Sequence, residues 1–295
     1  MTILIGILEQ GLTYSFLALG LYIAYQILDF PDLTVDGSFP LGAAVAVFCL
    51  MRGLNPLLAL VVSFLFGALA GICTGLIHIK LGVKDLLAGL IMQTALYTIN
   101  LTVAGKANVP IFNEATLFNN SLVQAILPPA LDPYRVLLVM VPLVLILKLA
   151  LDGFLRTKAG FLLKATGDNP TLVRTMAKDP GMIKIQGLAL SNGFVALSGA
   201  LVAQEQRFFE ISMGTGAMVM GLASVVLGMK LLEGLGFLRD SSKVLVGSIL
   251  YKASIALAIA VGFSANSMKL ITAMIFLLIL VLGEGRRGRG KKDHA

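Results

Sequence analysis

The chain has 295 residues, 57% of them hydrophobic and 13% charged, with a net charge of +7 and a mean hydropathy of +0.91. A soluble domain of this length needs more polar surface, so the composition implies that lipid covers most of the outside. The basic residues sit in short hydrophilic gaps, which argues against a nucleic-acid partner and fits loops that face anionic lipid.

The first apolar run covers residues 3–28. It has no basic leader and is too long for the apolar core of a signal peptide, so it reads as a retained helix. It ends at "DFPDLTVDGSFP", residues 29–40, which carries Asp29, Asp32, Asp36, Pro31 and Pro40. The apolar run that follows, 37–51, is only about 22 Å long as a helix, short of a hydrocarbon core of about 30 Å. It either spans, giving about nine crossings and an outside N-terminus, or is re-entrant, giving about eight and an inside one. Asp36 lies hard against the start of this segment, next to N–H groups that a carboxylate stabilises. It is therefore expected to hold its own helix start near Ser38. Asp29 follows a helix end, where a negative charge gains nothing comparable.

Further apolar runs cover 55–79, 85–104 and 134–155, then 185–203, 214–232, 243–263 and 268–284. Gap 105–133 has Lys106 as its one basic residue within a stretch of Asn and Pro, and is placed outside. Gap 156–184 carries Arg156, Lys158, Lys164, Arg174, Lys178 and Lys184, and is placed inside. The tail "RRGRGKK", 286–292, is also placed inside, with four crossings between. Residues 1–285 thus read as one transmembrane domain with an inner loop at 156–184, and 286–295 as a basic cytoplasmic tail. Segment 214–232 is short as well and is preceded by "SMGTG", 212–216. Interrupted segments in both halves point to a translocation pathway, because unwound backbone is tolerated only where it is buried or lines a cavity. Asp36, Ser38, Pro40, Ser212, Thr215 and Gly216 are its candidate residues.

Cys49 and Cys73 lie in apolar segments without CxxC spacing and read as small packing residues. His78 and His294 make no metal cluster, and no cofactor motif occurs. Glu9, Lys148 and Lys252 are ionisable residues inside apolar segments, and each is read as structural. Gln93, Asn100, Ser191, Asn192 and Gln204 are read as helix-packing polar groups. The chain contains no Trp. No GxxxxGK[ST] motif is present, so any ATP chemistry must come from another chain.

The most specific stretch is "KATGDNPTLVRTMAKDPGM", 164–182. Asn169 is a good N-cap and Pro170 suits the first helical position. Leu172, Val173, Met176 and Ala177 fall on one face of a helix predicted over 169–178, and Asp179-Pro180-Gly181 stops it. A helix this short binds membranes weakly, so its apolar face suits a partner groove. This stretch, with "LSNGFVALSGALVAQ" (190–204), resembles the coupling-loop region of ABC importer permeases of the branched-chain amino-acid and ribose type. "ILDFPDLTVDGSFPLGAA" (27–44), "NPLLALVVSFLFGALAG" (55–71) and "SMGTGAMVMGLASVVLG" (212–228) resemble one bacterial branch of that superfamily. Its members pair with a lipoprotein-type binding protein and an ATPase, and some are linked to aromatic amino acids, tryptophan included. The chain departs from that branch at Lys178–Gly181, at Met229 and in the charged "QEQRFFE" (204–210).

The resemblance implies an all-α polytopic membrane fold of the vitamin B12- and ribose-importer type. It implies a homodimer with two ATPase chains and a binding lipoprotein, in the bacterial cytoplasmic membrane. It also implies a small solute as cargo, an amino acid with aromatic ones included, and no enzymatic activity of the chain's own. Gly167, Asp168, Asn169, Pro170, Leu172, Val173, Arg174 and Met176 would then face the ATPase. The rival reading, a secondary transporter or channel, leaves the capped helix at 169–178 without a role.

Overall fold

The computed structural model describes residues 2–120, 123, 128–262, 270–274 and 276–277. Helix α1, Thr2–Leu21, runs on into a π-helical segment, Tyr22–Ile27. Then come α2, Val35–Met51; α3, Pro56–Lys80; and α4, Asp85–Ala104. Strand β1, Asn108–Pro110, and a 3-10 turn, Pro129–Tyr134, precede α5, Arg135–Phe154. Two short helices, α6 (Lys158–Asp168) and α7 (Pro170–Thr175), lead to α8, Pro180–Gln206. Strand β2, Phe208–Glu210, and a 3-10 turn, Ile211–Gly214, precede α9, Ala217–Leu231, and α10, Asp240–Ala260. The fold is all-α and polytopic. Among the described residues, seven helical stretches are long and apolar enough to cross a membrane, with α2 as a shorter apolar helix beside them. Most of the last apolar run, 268–284, and all of the tail 286–295 lie outside the described residues.

Local sequence sets the helix starts. Asn55 accepts from the Leu57 N–H at 2.9 Å with Pro56 at the first helical position, and Asp179 does the same for Gly181 at 2.8 Å with Pro180 behind it. Helix α8 is the axis of the bundle: most of it is buried, whereas little of the α5 stretch is. Helices α1, α2 and α3 surround it. The outer helices keep apolar faces open, such as Leu58, Val61, Leu65 and Leu69 on α3, as expected where lipid replaces water.

Helix α2 starts beside the far part of α3, where Thr34 Oγ1 and Thr74 Oγ1 lie 2.8 Å apart, and ends at the turn into α3. Ser63 Oγ donates to Gly42 O on the way. So α2 runs along α3 toward the opposite end of the bundle and does not double back. The stretches that follow α4 and α8 are tied together, because β1 and β2 pair antiparallel with Val109 opposite Phe209. The helix expected over 169–178 is shorter, ending at Thr175, and α6 ahead of it was not foreseen.

Candidate functional site

The two interrupted segments meet at Asp36. Helix α9 has Gly216 as its N-cap, at φ +84°, a backbone conformation that suits glycine, and glycine brings no side chain to cap with. Asp36 supplies the missing acceptor from the other half of the chain. Its Oδ2 accepts from Gly216 N at 3.1 Å and its Oδ1 from Met218 N at 2.8 Å. The expectation that Asp36 holds its own helix start is therefore corrected. Helix α2 begins earlier, at Val35 with Thr34 as N-cap, and the Asp36 carboxylate turns outward to the start of α9. The physical reason is the same in kind, a carboxylate on unpaired N–H groups, but the helix is another one.

The rest of "DFPDLTVDGSFP" is pinned to α8 and α3. Asp32 is fully buried; its Oδ1 accepts from Thr34 N at 2.9 Å and its Oδ2 from Asn192 Nδ2 at 2.6 Å. Asn192 Oδ1 in turn accepts from Ser38 Oγ at 2.7 Å. Ser38 thus faces the α8 side and is buried, whereas Pro40 lines an open recess on the α4 side. That recess has a volume of about 290 Å³ and is lined by Asp36, Gly37, Pro40, Leu90, Gln93, Thr94, Tyr97, Asn100 and Ile211. Thr215 is exposed, and exposed Ser212 donates to Glu210 at 2.6 Å, away from the recess lining. Asp29 is exposed, at φ +52°. Asp32 and its pairing with Asn192 escaped sequence reasoning. An Asp placed between two apolar runs was the available signal.

The second surface is built by α6 and α7. Asn169 Oδ1 accepts from Thr171 N and Leu172 N at 3.1 and 3.2 Å, as its N-cap role requires. Leu172 and Met176 are 51% and 48% exposed, and Phe161 on α6 is 62% exposed. Val173 is 0% exposed and belongs to the protein's own core, so it is not available to a partner. Asp168, Pro170 and Arg174 are exposed beside it. A recess of about 440 Å³ is framed by Arg156, Lys158 and Lys178 and floored by Phe161, Leu162 and Met176. Gly167 lies against the end of the first membrane stretch, where a Cβ would fall 1.9 Å from Ile27 O. Helix α6 and the end of that stretch therefore approach backbone to backbone.

Two buried charge groups complete the picture. Lys148 Nζ and Arg239 Nη1 both lie 2.8 Å from Asp152 Oδ2, and Ser241 Oγ donates to Asp152 Oδ1. The Lys148–Asp152 pair is readable as an i,i+4 spacing, one helical turn. Lys252 Nζ sits 3.5 Å from the centroid of the Tyr14 ring, a cation over an aromatic face.

The chain matches a family described as "Branched-chain amino acid transport system / permease component" over residues 3–282. A tyrosine transport system permease protein of Clostridioides difficile is 39% identical, covering 95% of this chain and 91% of that protein. An uncharacterised protein of Rickettsia prowazekii is 30% identical over 95% of this chain and 97% of its own length. A probable branched-chain amino acid transport permease protein, LivH, of Methanocaldococcus jannaschii is 28% identical over 94% and 90%.

Proposed function

The chain belongs to the branched-chain amino acid transport system permease family, and on that premise we propose that it is the transmembrane subunit of an ATP-driven importer of a small solute, an amino acid. The C. difficile relative's name supports an aromatic cargo, tyrosine first, with tryptophan as a further candidate. Hydrolysis takes place on two copies of a separate ATPase subunit, and an extracytoplasmic binding lipoprotein delivers the solute. A second copy of the chain completes the pathway, because each copy offers one α7 and the ATPase acts as a pair.

The basic α6–α7 end faces the cytoplasm, and the β1–β2 end faces outward as the platform for the binding protein. With α2 running through, the N-terminus lies outside and the C-terminal tail inside the bacterial cytoplasmic membrane. ATP binding draws the two α7 helices together and biases the permease between inward- and outward-open states.

The observation that carries this reading is α7 itself: a capped helix with Leu172 and Met176 turned out beside exposed Phe161, an apolar face that the described residues leave open. The test is co-purification with the cognate ATPase and L-tyrosine uptake into proteoliposomes. Uptake is expected to need ATP and to vanish in Met176→Asp together with ATPase binding. Uptake that follows a proton or sodium gradient without the ATPase overturns the proposal in favour of a secondary transporter.

A further inference from the structure

We infer that the Asp36 recess is a binding site for the ammonium group of the solute, a stage within the permease for a primary amine with a compact apolar body. The inference rests on the permease reading and adds the ligand chemistry of one site to it.

Asp36 is the one charged residue lining the recess, and no Lys or Arg pairs with it among the described residues. Its two oxygens each take one backbone N–H from the start of α9, which leaves each a further lone pair, and the residue is half-buried, not closed off. The second observation is Asn100. It lines the same recess, is fully buried, and donates from Nδ2 to Gly37 O at 3.0 Å. That bond fixes which way the amide points, and Oδ1 is left with no partner among the described residues. A buried acceptor left unpaired is costly until a donor arrives.

Among the described residues, the recess therefore holds an anion without a cation, and the buried amide in its wall holds an acceptor without a donor. A primary ammonium is all donor and no acceptor, and it answers both. The walls set the rest of the ligand. Pro40, Leu90, Tyr97 and Ile211 surround the acceptors with apolar and aromatic surface. A carboxylate has no place at the start of α9, because Asp36 already occupies the N–H groups that would bind it. An anion lacking the ammonium is repelled by Asp36.

The experiment uses the full-length permease in lipid nanodiscs with three probes: L-tyrosine, its decarboxylated form tyramine, and its deaminated form 3-(4-hydroxyphenyl)propanoate. L-Tyrosine and tyramine are expected to bind saturably, and the deaminated acid about tenfold more weakly or not at all. Asp36→Asn, which keeps an acceptor oxygen for α9, is expected to weaken tyramine about tenfold. Leu90→Trp changes an exposed position of the lining, leaves Asp36 untouched, and is expected to weaken both amines by filling the recess. Thermal melts confirm that each variant is folded.

Saturable binding that ignores both substitutions, equal binding of the deaminated acid, or no saturable binding by the wild type each overturns the site; the last would mean that water alone fills it. ATP-driven L-tyrosine uptake by the complete transporter is measured alongside. Uptake without binding removes the site and leaves the permease reading intact. Binding without ATP-dependent uptake removes the permease reading and leaves the site.

Discussion

Asp36→Ala removes both acceptors from the start of α9 and leaves the Gly216 and Met218 N–H groups without a side-chain partner. Losing an N-cap costs about 0.5–2 kcal/mol, and a hydrogen bond to a charged group is worth about 1.5–3 kcal/mol. The two bonds share one carboxylate, and water in the recess can reach part of the vacated site. The expected loss is therefore roughly 2–4 kcal/mol, below the sum of two independent charged bonds. That corresponds to a drop of roughly 5–10 °C in the melting midpoint of a chain of this size. Asp36→Asn keeps one acceptor and loses the charge, so about half that drop is expected. Asp29→Asn is the control: the site is exposed, its left-handed backbone suits Asn, and the change is expected to stay within about 0.5 kcal/mol. Because the chain has no Trp, melting is followed by loss of the monodisperse size-exclusion peak after heating. If Asp36→Ala melts with the wild type, or Asp29→Asn is the more damaging, the cross-chain cap does not hold α9 in place.

Val173→Asp places a carboxylate in the core and is expected to destabilise the fold by roughly 3–5 kcal/mol, whereas Met176→Asp leaves the melting midpoint unchanged and abolishes ATPase co-purification. Equal melting of the two variants contradicts the burial of Val173. Asp152→Ala strands Lys148, which is only 13% exposed, and is expected to cost roughly 2–4 kcal/mol, while Arg239→Gln, at a half-open position, costs about 1 kcal/mol or less in the same unfolding assay. Gly167→Ala drives a Cβ into the Ile27 carbonyl and must push α6 off the end of the first membrane stretch. The expected result is normal ATPase binding with at least a several-fold fall in solute moved per ATP hydrolysed. An unchanged ratio shows that this contact does not carry the coupling.

What sequence could reveal was set by the range of the signal. The long helices follow from apolar runs of local extent, and α3, α7 and α8 announce their starts with Asn-Pro, Asn-Pro and Asp-Pro. The amphipathic reading of α7 was half right. Leu172 and Met176 do face out, but Val173 between them turns into the core, because a helix of six residues lying on a protein has one side already covered. Helical periodicity finds an apolar face and does not say which neighbour covers it. Helix α6 was missed because Lys158 and Lys164 dilute its apolar residues, and the π-helical segment Tyr22–Ile27 has no sequence mark distinct from the helix it extends.

The polarity of residues 29–40 was visible, but its purpose was not, and the reason is distance along the chain. In an apolar interior each polar group needs a partner. Thr34 finds Thr74, 40 residues away; Ser38 and Asp32 find Asn192, 154 and 160 residues away; Asp36 finds Met218, 182 residues away. No window along the sequence holds both members of any of these pairs. Taken together they make this short stretch the place where α3, α8 and α9 are fixed relative to one another. It begins two residues after Ile27, the residue against which Gly167 of α6 rests. The chain from the exposed face of α7 to the recess at Asp36 is thus short and covalent for most of its length. A rigid displacement of α7 has few soft joints in which to be absorbed before it reaches the start of α9. Asp29, exposed and in a left-handed conformation, stands at the beginning of that stretch, and it is the one carboxylate of the three that is spared a buried partner because water can still solvate it.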